Sequence, residues 1–383
     1  MTYSPDKAPK ITLGYHHRLN KPLIWNLVNR TLTRPPQTRR DDSRRKPLDP
    51  VMSQPPVSAK VFTVVRGGAD AIDADALAGA VVAIGNFDGV HRGHRAVIGA
   101  ARARAEKLGR KTAALTFTPH PRAFFRPQEA LFQLSSERDK LRLLAATGLD
   151  GAIVMRFDAA LAATSAEEFI ARILVGRLGI GGAAIGFDFH FGKNRTGSPA
   201  FLAAQGARLG FAVDIVPPLE DEGRPVSSGA VRTALSQGRV VEAMELLGAP
   251  WFVSGEVIHG DKRGRELGFP TANLRLDSAC GLKHGIYAVR VAIGGKRYDG
   301  VASFGRRPMF GDGAPLLEVY LFHFGGELYG ERIDVAFIGW LRHEQKFETI
   351  EHLKQAMLAD AAQARGALDR AGEAFPLLGE VER

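Results

Sequence analysis

The chain has almost no cysteine: Cys280 is the single one in 383 residues. One thiol cannot close an internal disulfide, so a core must hold the fold, and the usage fits a reducing compartment. No apolar run approaches the ~20 residues of a membrane span. The N-terminus lacks the continuous apolar segment of a signal peptide. These absences exclude a disulfide scaffold and a helical membrane protein. The expectation is a soluble cytoplasmic protein with no membrane partner.

Negative charge is also in short supply, but unevenly. The formal net charge is +10, and residues 1–51 hold 11 Lys/Arg against 4 Asp/Glu, a net of +7. Residues 52–383 therefore carry only +3. The excess belongs to a Pro- and Arg-rich leader, residues 1–55, with Arg39, Arg40, Arg44, Arg45 and Lys46. Such a stretch reads as a solvated, disordered tail. No aromatic–basic platform accompanies it, so no nucleic-acid partner is expected. Prolines interrupt any amphipathic targeting helix. Met52 could serve as a natural start, and removal of residues 1–51 is expected to leave activity intact.

What is present has two textures. Over residues 60–247, short apolar runs at 81–85, 112–117, 151–155, 182–187 and 212–216 alternate with helix-like segments at 92–107, 136–147, 166–175 and 198–208. A further strand-like run, Val61–Val65, precedes them. The alternation argues βαβ units around a parallel sheet, and the continuous apolar runs argue strands buried on both faces. After Gly248-Ala249-Pro250 the pattern changes. Residues 250–383 show alternating segments at 252–258, 286–293, 298–304, 316–323 and 332–338, which suggest an antiparallel sheet or small barrel. A long helix is expected over 347–371, with Leu353, Met357 and Leu358 on one face. The fold class is therefore α/β, a Rossmann-like domain followed by a small antiparallel β-barrel with a C-terminal helix. No internal repeat is evident.

Within the first half, residues 81–98 read VVAIGNFDGVHRGHRAVI. A strand ends at Gly85, a tight turn carries Phe87, Asp88 and Gly89, and His91 and His94 flank Gly93 where a helix begins. That is how an α/β sheet presents a phosphate site. Two imidazoles near free helix-start N–H groups form a donor cluster for phosphate oxygens, and Gly93 allows close approach. On spacing alone, two loop histidines are more often structural. A zinc site is disfavoured because further ligands at metal spacing are missing.

GNFDGVHRGH resembles the HxGH region of nucleotidylyltransferases, and specifically that of bacterial bifunctional riboflavin kinase/FAD synthetases. Thr116 to Pro121 is similar to that family's TFxPHP segment. Gly186 to Gly192 resembles its flavin-side loop, and Val226-Ser227-Ser228 with Val231-Arg232 resembles ISSTxIR. The resemblance implies adenylyl transfer from ATP to FMN. It assigns ATP binding to Gly85, Phe87, Asp88, Gly89, Gly93, Ser227, Ser228 and Arg232, with His91 and His94 catalytic. It places Asp188 and Phe189 near the flavin. Taken alone, Ser227-Ser228 would read as a helix N-cap. His190 stands where the family commonly has Arg, and Gly229-Ala230 replaces Thr-Arg.

In the second half, GEVIHGDKRGRELGFPTAN spans residues 255–273. Its glycines, with Lys262, Arg263 and Arg265, suit a loop around polyphosphate, although an ordinary basic hairpin would look similar. In an extended GFPTAN segment, Thr271 and Asn273 face one side and offer neutral oxygens of the kind Mg²⁺ prefers. The block resembles the riboflavin kinase signature. The resemblance implies ATP binding by Gly255, Lys262, Gly268, Thr271 and Asn273, with Mg²⁺ on the last two. Further similarity at 284–287, 300–308, 318–320, 328–330 and 341–347 implies flavin binding by Arg307 and Arg342. Glu318 falls at the family's base position, although a lone strand Glu is usually a solvated surface residue. Ser303 and Met309 replace the usual Asn and Thr.

The implied function is bifunctional: riboflavin to FMN, then FMN to FAD, with ATP as co-substrate and Mg²⁺ as cofactor. The expected partners are riboflavin, FMN, FAD and ATP, with allowance for weak self-association. The alternatives are an FAD synthetase with a weakened kinase, an adenylyltransferase for another phosphorylated alcohol, and a flavin- or nucleotide-binding regulator without turnover.

Overall fold

The computed structural model describes residues 61–381 apart from 70, 222, 261–267 and 307–314. The leader, Lys262, Arg263, Arg265, Arg307 and Met309 lie outside the described residues.

Six parallel strands form the first sheet. They are β1 (Thr63–Gly67), β2 (Val81–Ile84), β3 (Thr112–Thr118), β4 (Gly151–Arg156), β5 (Gly182–Gly186) and β6 (Ala212–Val216), in the order β1-β4-β3-β2-β5-β6. Val81 to Ile84 are all buried, as are Ala113 to Phe117 in β3. Helices cover both faces, which is why these strands read as continuous apolar runs. The helices of this half are α1 (Arg92–Leu108), α2 (Pro121–Phe125), α3 (Glu137–Ala145), α4 (Ala159–Ala163), α5 (Ala166–Glu168), α6 (Pro199–Leu209), α7 (Ser228–Ser236) and α8 (Val240–Leu247). A π-helical stretch, Phe169–Arg177, continues α5. A two-stranded hairpin, β7 (Glu220–Asp221) and β8 (Arg224–Pro225), precedes α7.

The second sheet is antiparallel. It comprises β9 (Phe252–Glu256), β10 (Thr271–Arg275), β11 (Gly285–Ile293), β12 (Lys296–Arg306), β13 (Pro315–Leu321) and β14 (Arg332–Arg342), ordered β10-β13-β12-β11-β14-β9. A bridge between Ile258 and Asn273, with Ile258 N–H donating to the Asn273 carbonyl at 2.9 Å, brings the two edge strands together into a nearly closed barrel. Leu274, Ala302, Phe304, Leu317 and Val319 fill its interior.

The C-terminal helix α9 (Ile350–Arg370) closes the outer face of the barrel, but not by the expected stripe. Its buried residues are Asp360, Ala361, Ala364 and Leu368, packed on Ala288, Phe322 and Ile338. Leu353 and Met357 are half-buried and Leu358 is 55% exposed. Alanines let the helix axis approach the sheet closely, and their weak hydrophobicity hid the contact face from the sequence.

The change of texture near Gly248 marks a change of architecture, not a break in packing. Val231, Leu235, Leu246 and Leu247 of α7 and α8 join the barrel interior in one core. The Trp251 indole N–H donates to the Leu134 carbonyl at 2.8 Å. Arg142 of α3 reaches across to Asp334 of β14 through two bonds of 2.8 and 2.6 Å, and the Ser254 hydroxyl bridges Asp139 and Asp334. Among the described residues no helix is long and apolar enough to cross a membrane.

Candidate active sites

The strand order reverses at β2, which has β3 on one side and β5 on the other. The crevice outside the carboxyl ends of β2 and β5 is therefore the expected ligand position in such a sheet. The loop leaving β2 is strained there. Phe87 (φ 50°) and Val90 (φ 43°) adopt left-handed backbone despite their side chains, and Gly89 (φ 77°) sits between them. A β-branched residue at positive φ is costly, and such cost collects at ligand sites.

That contorted loop delivers His91 to the start of α1. His91 Nδ1 accepts the His94 backbone N–H at 3.3 Å and so caps the helix. One of the helix-start donors expected to be free is thus used internally. The two imidazoles stack, with centroids 3.6 Å apart and planes 20° from parallel, and the Phe87 ring meets His94 edge-on at 5.3 Å. A Cβ on Gly93 would lie 3.1 Å from the His91 ring and 3.2 Å from the Val226 carbonyl, so a larger residue would have to push one of them aside. Burial pushes the His91 imidazole down to about 4, with help from Arg232. Burial likewise holds His94 well below the usual histidine range, with His91 and Lys140 adding to it. Both are neutral at pH 7. His94 Nδ1 is buried with no hydrogen-bond partner, a costly state that asks for a ligand.

The N-terminus of α7 faces the same loop. The Ser227 hydroxyl accepts the Ala230 N–H at 3.2 Å as an N-cap, and the Ser228 hydroxyl donates to the Asp88 carbonyl at 3.0 Å. The Asp88 side chain is buried and fully engaged by protein groups. Its carboxylate accepts the N–H groups of Leu134 (2.9 Å) and Ser135 (3.1 Å) and pairs with Arg232, whose Nε also donates to the Phe132 carbonyl. The carboxylate thus holds Arg232 and the 132–135 segment together beneath the loop. Two helix N-termini, two neutral imidazoles and Arg232 converge, an arrangement suited to anionic oxygens.

Lys140 of α3 was missed by motif reading. It is 8% exposed, and its Nζ donates to the Asn86 carbonyl (3.3 Å) and the Thr116 hydroxyl (3.2 Å) at the ends of β2 and β3. The available signal was a lysine on the apolar stripe of a helix, four residues before buried Leu144. At the end of β5, Asp188 is exposed, while Phe189 stacks on Phe191 at 5.6 Å and is half-buried against the core. The more exposed aromatic at this mouth is Phe187.

In the barrel, register aligns the second set. Asn273 of β10 lies opposite Glu318 of β13, which lies opposite Ser303 of β12. Thr271 shares the Asn273 face two residues earlier and pairs with Tyr320. Directly opposed residues share a face, so Thr271, Asn273 and Glu318 lie together on the outer surface, since Leu317 and Val319 point into the core. Asn273 is buried and its amide donates to the Thr271 carbonyl at 3.3 Å. A Cβ on Gly260 would fall 2.4 Å from that amide, and one on Gly255 would fall 2.8 Å from the Leu274 side chain. Gly268 turns the chain into β10 at φ 84°. The Arg342 guanidinium binds Asp360 of α9 through two 2.7 Å bonds, tying barrel to helix.

Residues 73–230 match the family model described as FAD synthetase, and residues 247–368 match that for riboflavin kinase. A Pseudomonas fluorescens protein named bifunctional riboflavin kinase/FMN adenylyltransferase is 43% identical over 288 residues, 75% of this chain and 92% of its own. One of the same name from Escherichia coli K12 is 39% identical over 288 residues, with the same shares. A crystal structure described as a macrolide-efflux protein from Streptococcus pneumoniae superposes with TM-score 0.71 at 31% identity, covering 79% of this chain and 98% of that one. With a Rossmann-like half and a barrel half that match the two models in order, and relatives aligned across nearly their whole length, the chain belongs to the bifunctional riboflavin kinase/FMN adenylyltransferase family.

Proposed function

We propose that residues 250–383 phosphorylate riboflavin to FMN and that residues 60–247 convert FMN and a second ATP to FAD and pyrophosphate. The observation that carries the second step is the stacked, neutral His91–His94 pair between two helix N-termini. In adenylyl transfer an FMN phosphate oxygen forms a bond to the α-phosphorus of ATP. The bond from that phosphorus to the β-phosphate oxygen breaks, and pyrophosphate leaves. The nucleophile is already ionised, so no base is needed. Neutral imidazole N–H groups, the free N–H groups of α7 and Arg232 stabilise the charge gathering on the α-phosphate. Gly85, Gly89 and Gly93 let the loop fold tightly on Phe87, Leu134 and His91 beneath the phosphates, and Phe87 buttresses His94.

Phosphorylating riboflavin differs because its nucleophile is a neutral ribityl hydroxyl. Glu318 accepts that proton as the oxygen bonds to the γ-phosphorus of ATP and ADP leaves. Thr271 and Asn273, the latter directly opposite Glu318, offer neutral oxygens of the kind that would hold a magnesium–nucleotide. When bound, Mg²⁺ neutralises polyphosphate charge. Lys262 and Arg307 belong to this reading as nucleotide and flavin contacts. Asp188 and Phe189 belong to it on the FMN side. A reducing, cytoplasmic setting is part of the proposal, supported by the single thiol.

The test is incubation of the full chain with riboflavin, ATP and Mg²⁺, resolving flavins over time. FMN should appear first and FAD follow, with two ATP consumed per FAD. FAD formed only from added FMN would favour a weakened kinase. Flavin binding without ATP consumption would refute the enzyme.

A further inference from the structure

One buried cation has no role in the chemistry above. Lys140 Nζ donates to the Asn86 carbonyl and the Thr116 hydroxyl, and the Phe117 carbonyl lies at 3.5 Å. The Thr116 hydroxyl donates to the same Asn86 carbonyl at 3.2 Å. The ammonium therefore joins the carboxyl ends of β2 and β3 where the strained loop departs. Among the described residues it forms no ion pair with a carboxylate. Burying an ammonium on neutral acceptors alone is expensive, and an apolar side chain of similar length would fill the same space more cheaply. Asn86 directly precedes Phe87, whose ring touches His94, and the same loop ends at His91.

We propose that Lys140 is a positioning residue for adenylyl transfer: its ammonium pins the loop that carries the histidine pair and sets a fixed positive charge beside it. The inference rests on the adenylyl-transfer reading of that site. Burial lowers the Lys140 ammonium from its usual range, while Asp88 and Glu137 favour its charge. In turn its charge favours the neutral forms of His94 and His120, and Arg232 acts likewise on His91 and His120. Arg122 also faces His120 in the same sense, and Asp88 opposes it. The histidines thus stay neutral donors, and a positive charge stands ready where negative charge gathers on the α-phosphate.

The experiment compares Lys140→Met and Lys140→Arg with the unmodified full chain, assaying riboflavin phosphorylation and FMN adenylylation separately from pH 8 down to the onset of acid unfolding, so that the acid limb lies inside the range. In K140M, kcat for adenylylation should fall by about tenfold or more while the KM for ATP changes by less than about threefold. Kinase turnover should be unchanged. The acid limb of the adenylylation profile should move to higher pH, and the His94 imidazole, followed by NMR, should titrate at higher pH than in the unmodified chain. K140R should recover part of the lost kcat. Adenylylation within about twofold of the unmodified chain would overturn the proposal. So would a loss of kcat with the acid limb and the His94 titration unmoved, which is what lost packing alone produces. If K140M does not fold, Thr116→Val removes one partner of the ammonium and keeps its charge. It should lower adenylylation kcat several-fold, and an unchanged kcat there overturns the positioning role. Absence of adenylylation in the unmodified chain would refute the site assignment itself, whereas normal adenylylation with an indifferent K140M refutes only Lys140.

Discussion

Mild acid should destabilise this protein through His91, and the size follows from its burial. His91 is 6% exposed, and its folded value is about 4 against 6.5 for a free imidazole. Because the folded value is depressed, the unfolded chain binds the extra proton between those two values. Stability is complete above about pH 6.5 and drains as pH falls toward 4. At pH 5 the loss is about 2 kcal/mol, and it levels near ~3 kcal/mol in stronger acid. His94 is shifted in the same direction and adds to the effect. The perturbation is His91→Asn, which keeps an N-cap acceptor for the His94 N–H and removes the titration. Urea unfolding of both proteins at several pH values between 8 and 5 reads the result. Carboxylate contributions are common to both and cancel. The stability advantage of the unmodified chain should shrink by about 2 kcal/mol across that range. Parallel stability curves for the two proteins would refute the reasoning.

Three other outcomes are expected. Glu318→Gln should abolish riboflavin phosphorylation while FMN adenylylation survives, and near-normal kinase turnover would sink Glu318 as the base. Arg142→Ala leaves Asp334 and Asp139 buried without their cation, so it should cost about 3 kcal/mol in denaturant unfolding. A change under about 1 kcal/mol would show the cross-half cluster to be unimportant. Arg342→Met strands the buried Asp360 carboxylate, so it should lower unfolding stability by about 3 kcal/mol. A raised riboflavin KM with unaltered stability would support the flavin-contact reading of Arg342.

Local sequence carried much of the architecture. The run at 81–85 became β2 at Val81–Ile84, and the segment at 92–107 became α1 at Arg92–Leu108, because burial on both faces writes an unbroken apolar run and a helix writes its own period. Motif spacing likewise brought His91 and His94 to one helix start. Other features were less legible. The strand Thr271–Arg275 read only as an extended stretch, because its register depends on β13, far along the chain. The buried face of α9 is made of alanines, which periodicity scarcely registers.

Roles that depend on distant partners had to come from tertiary structure. Asp88 and Arg342 carry motif positions, yet their side chains are occupied by Arg232 and Asp360, 144 and 18 residues away. Lys140 has no motif of its own and matters through Asn86 and Thr116. The sequence by itself determined the two architectures, their order and the chemistry-bearing residue types, because helix and strand periods and short motifs are local. Only the tertiary structure decided which protein groups hold those side chains and that the halves share one core. Charge state, satisfaction and burial are properties of neighbours in space, and those neighbours lie 18 to 144 residues apart in the chain.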